Sequence, residues 1–136
     1  MATWEYELVT GDGNWDKPYW LDHAIGFVLT EDGRNEALRQ MDSSLSAEAR
    51  SAVLEAANNA IGGLMSAVDG VTALANDEYV LEVTLVGVLK RISDDSVVAE
   101  LDLRDCDGAA MGFAGWRDGD FGDVPVAKRR SAYSGL

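Results

Sequence analysis

Cysteine and histidine are almost missing from this chain: Cys106 and His23 are the sole examples among 136 residues. One cysteine excludes an internal disulfide, and one thiol with one imidazole is too few for a zinc centre built on those ligands. A Cys–His or Ser–His pair would have to use His23, with Cys106 or a serine brought near by folding and Asp22 orienting the ring, and nothing in the spacing calls for it. No GxGxxG, Walker-type or GxSxG sequence occurs either. Phosphate-loop and nucleophile-elbow machinery are therefore excluded, no catalytic residue is assigned, and no cofactor is expected.

Prolines number two, and no Pro-rich or Ser-rich linker divides the chain. At this length, one core burying about two-thirds of the unfolded surface is enough. Neither a run of 18 apolar residues nor a basic stretch leading into an apolar one is found. No membrane span or secretory signal is thus expected, and the expected location is the cytoplasm or a virion.

Lysine is scarce as well: 3 Lys and 8 Arg face 15 Asp and 9 Glu, for a net charge of -13. A basic footprint for nucleic acid is missing, so nucleic acid is not an expected partner except through the C-terminal tail. Such acidity makes copies repel one another in dilute buffer and much less in concentrated salt. It favours a high-salt-adapted source, with an acidic protein from a GC-rich genome as the alternative. The charge is uneven. Residues 1–123 carry 8 basic and 24 acidic groups, or -16, whereas 124–136 carry Lys128, Arg129 and Arg130 and no acid, or +3. The division expected is an acidic globular domain over 1–123 and a basic tail over 124–136, which docks on an acidic face of another copy or simply frays.

Periodicity sketches the elements. Residues 3–10 alternate, with Trp4, Tyr6 and Leu8 on one face, and predict a first strand. Residues 16–30 read as helix or strand, with helix favoured, and 35–41 as a short helix. From Ser46 to Val68 the apolar positions Val53, Leu54, Ala57, Ile61, Leu64, Met65 and Val68 recur at three-to-four spacing behind an N-capping serine. That predicts a long amphipathic helix. Residues 79–90 and 97–104 predict a hairpin turning at Ser93, Asp94 and Asp95, with Val97, Ala99, Leu101 and Leu103 inward. Residues 105–123, with five glycines, read as a loop, and 124–127 as an edge strand. The fold expected is α+β: an antiparallel sheet of three to five strands with the helix of about 46–68 packed on one face.

Candidate sites are few. Asp118, Asp120 and Asp123 in DGDFGD could offer oxygens to a divalent cation, as could Asp105 and Asp107, or Asp12, Asn14 and Asp16, though none completes a calcium-loop pattern. The apolar and aromatic residues point instead to an interface. Its candidates are Trp4, Tyr6, Trp15 and Trp20 in the aromatic start, Val80, Val86 and Val88 on the hairpin's second face, Phe113 and Trp116 in the glycine-rich segment, and Lys128, Arg129 and Arg130 in the tail. Two functions compete. One is a non-enzymatic structural or assembly protein that forms homo-oligomers or packs into a larger complex such as a viral particle. The other is a small acidic binder, an immunity protein or nucleic-acid mimic, that neutralises a basic partner.

Overall fold

The computed structural model describes residues 6–11, 13–70, 74–106 and 108–130. It is a mixed α+β arrangement of helices and small antiparallel ladders. Strand β1 (Tyr6–Leu8) leads through a turn to helix α1 (Trp20–Phe27), and a wider π turn at Val28–Asp32 joins α1 to α2 (Gly33–Arg39). The residues ambiguous in sequence thus lie mainly in helix. Helix α3 (Ala47–Val68) follows, and Ser46 caps it by accepting a hydrogen bond at Oγ from the Ala49 N–H, 3.1 Å.

Beyond α3 come β2 (Leu74–Ala75), β3 (Val80–Leu81), β4 (Val86–Lys90) and β5 (Val97–Asp102). Helix α4 (Ala109–Trp116) and strand β6 (Ala127–Arg129) complete the fold. The strands form no single sheet of three to five. Among the described residues they make three separate two-stranded ladders, β1–β6, β2–β3 and β4–β5, all antiparallel. The run 79–90 is broken at 82–85 into β3 and β4, so β3 pairs back on β2 and leaves β4 to β5 alone.

The β4–β5 ladder slips register between Leu89 and Lys90, so that Lys90 faces Val97 and Val98 is skipped. This explains why Val97, inward by simple alternation, is exposed, while Leu103 in the same phase is fully buried. Residues 105–123 also depart from the loop reading, because 109–116 are helical. The Asp69 carboxylate, just beyond α3, accepts from the Ala109 N–H at Oδ1, 2.6 Å, and from the Ala110 N–H at Oδ2, 2.7 Å. Two orphan donors at the start of α4 are thereby satisfied from the end of another helix. Gly108, at φ 109°, sets the backbone for it.

Two apolar clusters hold these parts together. Met65 and Val68 of α3 pack with Leu103 and with Ala109, Phe113 and Trp116 of α4. Trp20 and Ala24 of α1 pack with Val126 beside β6. Gly26 of α1 and Gly112 of α4 leave the room that the Trp116 ring occupies. The buried Trp116 indole donates to His23 Nδ1, 3.0 Å, and the Trp20 indole donates to the Pro125 carbonyl, 3.0 Å. Among the described residues, no helix is long and apolar enough to cross a membrane.

Candidate functional site

The predicted interface residues part company in the structure. Trp20, Phe113 and Trp116 are buried within the chain, at 1%, 6% and 0% exposure, so they supply core contacts rather than a docking surface. Trp15 and Tyr6 are half-buried, Trp15 against the Trp20 cluster and Tyr6 edge-to-face with Phe27 at 5.1 Å. Trp4, Asp12 and Asp107 lie outside the described residues.

The basic residues after 123 are not a separate tail where they are described. Val126 is buried, and β6 pairs with β1 through Tyr6 to Arg129, Glu7 to Lys128 and Leu8 to Ala127. The cations are engaged by their own chain. Lys128 Nζ lies 3.3 Å from Glu7, Arg129 sits over the Tyr6 ring and donates to its hydroxyl, and Arg130 Nε donates to the Tyr6 carbonyl. An acidic body attracts a short basic strand, and the ladder fixes it there.

Among the described residues, the cation candidates do not converge. Asp120 Oδ1 accepts from the Gly122 N–H, closing a turn, and Asp118 lies 3.7 Å from Arg117 Nε. Among the described residues, no three His, Cys, Asp or Glu side chains come together as a metal cluster.

One exposed patch is strongly apolar. The β2–β3 hairpin projects with Leu74, Tyr79, Val80, Leu81 and the following Val83 between 55% and 74% exposed. Its strands pair with each other, Leu74 with Leu81 and Ala75 with Val80. Asn76 closes the turn: its Oδ1 accepts from the N–H groups of Glu78 and Tyr79. At the base, Glu82 meets Arg104 Nη1 at 3.1 Å and Thr84 Oγ1 donates to Asp102 Oδ1 at 2.7 Å. The Thr84 hydroxyl and the Arg104 backbone N–H hold the Asp102 carboxyl below its usual value. Val86 and Val88 continue the exposed apolar surface onto β4.

Sequence alternation marked Val80, Val86 and Val88 but not the groove that forms between β4 and α1, which Val86 and Val88 also line. There Gly87 lets Ile25 of α1 press on the strand backbone, and a cavity of about 320 Å³ opens among Leu8, Ile25, Val28, Leu29, Leu85 and Leu89. A second cavity of about 250 Å³ shares Leu8, Ala24 and Val28 with it and runs toward Val126. The groove therefore has α1 as floor and strands β1 and β4 along its sides. Among the described residues, β1 pairs with β6 alone and β4 with β5 alone. No protein-family model, curated protein or solved structure matches the chain.

Proposed function

We propose that this chain is a non-enzymatic structural or assembly protein that self-associates and packs into a larger complex. The observation that carries this reading is the β2–β3 hairpin, whose large apolar side chains stand in solvent on a paired but otherwise uncovered element. Contiguous exposed apolar surface of this kind marks contact sites in soluble proteins. The net charge of -13 sets the conditions. Copies repel at low ionic strength, so apolar contact between them strengthens as salt screens the charge.

Sedimentation equilibrium tests the proposal. Species heavier than the 14.6 kDa chain are expected at micromolar protein, growing from dilute buffer toward about 1 M salt. The double variant Val80→Asp, Leu81→Asp should abolish them while leaving the helical circular dichroism signal unchanged. A monomer at every salt and protein concentration would remove the proposal.

A further inference from the structure

We infer that the groove between β1 and β4 is the seat for the β2–β3 hairpin of a second copy, so that two copies exchange hairpins. This inference rests on the assembly reading and names its partner. Among the described residues, the groove lacks apolar side chains over Leu8, Ile25 and Leu89, and β1 and β4 form ladders with β6 and β5 alone. An extended apolar segment suits both features, its side chains filling the cavity and its amides and carbonyls pairing with a strand edge. The hairpin is such a segment, extended, apolar and, among the described residues, paired only within itself.

Area supports a second copy as the occupant. The five exposed apolar side chains of one hairpin present on the order of 600 Å², so reciprocal exchange covers roughly 1,200 Å² from the hairpins alone. Both groove walls add to that, which brings the total into the range of specific interfaces. Exchange of identical elements is also self-complementary, so the contact closes on itself as a two-fold dimer instead of propagating.

Replacing Tyr79, exposed on the hairpin, with p-benzoylphenylalanine and irradiating a mixture of ¹⁵N-labelled and unlabelled chains tests the docking directly. Labelled-to-unlabelled crosslinks from position 79 are expected on residues 6–8, 21–29 or 85–89. Leu8→Arg, at the exposed groove mouth, should weaken dimerisation about tenfold or more, and Leu81→Asp on the hairpin should do the same. A dimer whose crosslinks run from hairpin to hairpin or to another surface, or one that Leu8→Arg leaves intact, overturns this inference and leaves the assembly reading standing. A protein that stays monomeric with no intermolecular crosslink overturns both.

Discussion

At Gly26 the missing side chain is a packing requirement: a Cβ there would stand 2.2 Å from carbons of the Trp116 ring. Gly26→Ala is therefore expected to destabilise the fold by about 1–3 kcal/mol through overpacking. Gly63 sits in α3 with open space where its Cβ would go, so Gly63→Ala should stabilise by up to about 1 kcal/mol. Urea midpoints of the pair should move in opposite directions. Asp69→Ala, which strips the cap from α4, should cost about 1–2 kcal/mol on the same assay.

The carboxylates give a pH dependence with a defined sign. Hydrogen bonds hold Asp42, Asp94 and Asp102 below their ordinary 3.8, and Glu36, bonded to Arg39 and Gln40, below 4.5. Each binds its proton more weakly when folded. Their stabilisation is thus present above the ordinary values and is lost as pH falls through the lowered ones. Asp32, raised chiefly by burial, works in the opposite sense. Chemical denaturation between about pH 6 and about pH 3 should show stability falling on the acid side, with a shallower fall in Asp102→Asn.

At the scale of elements, what could be read locally differs from what could not. The helix over 47–68 is legible because its N-cap, its periodicity and its solvated face are all encoded within it. Leu64, on the apolar list, is nevertheless exposed because only part of that stripe meets α4. Helix α4 is illegible from its own residues. Its glycines argue for a loop, yet Gly112 and Gly108 serve the Trp116 ring and the Asp69 cap, both set by the three-dimensional packing. The cap comes from 40 residues upstream, where no local pattern can reveal it.

The same holds for the site. Val80, Val86 and Val88 are visible as a second apolar face by alternation. The groove needs β1, α1 and β4, which are distant in sequence, to meet, and so it has no sequence signal. Trp20, Phe113 and Trp116 illustrate the converse: aromatic density marks importance without saying whether water or core surrounds the ring.

For the whole molecule, charge is the dominant variable. With -13 on 136 residues, the compact state carries self-repulsion that salt relieves, and the melting temperature is expected to rise by several degrees, roughly, between about 0.01 M and about 1 M sodium chloride. A scanning calorimetry series checks this, and a flat response would show that the carboxylates are spaced too widely to interact. The ladder between β1 and β6 moderates the effect by seating Lys128, Arg129 and Arg130 on the acidic body.

The two buried indoles also make the molecule's cooperativity measurable. The Trp116 N–H is tied to α1 through His23, and the Trp20 N–H to the segment leading into β6 through Pro125. Each proton can exchange with solvent only when its own cluster opens, so the two signals in one spectrum compare the opening free energies of the helical core and the terminal ladder. Equal protection would mean the clusters open together. Faster exchange at Trp20 would mean that β1 and β6 part first, baring one wall of the groove before the helices yield.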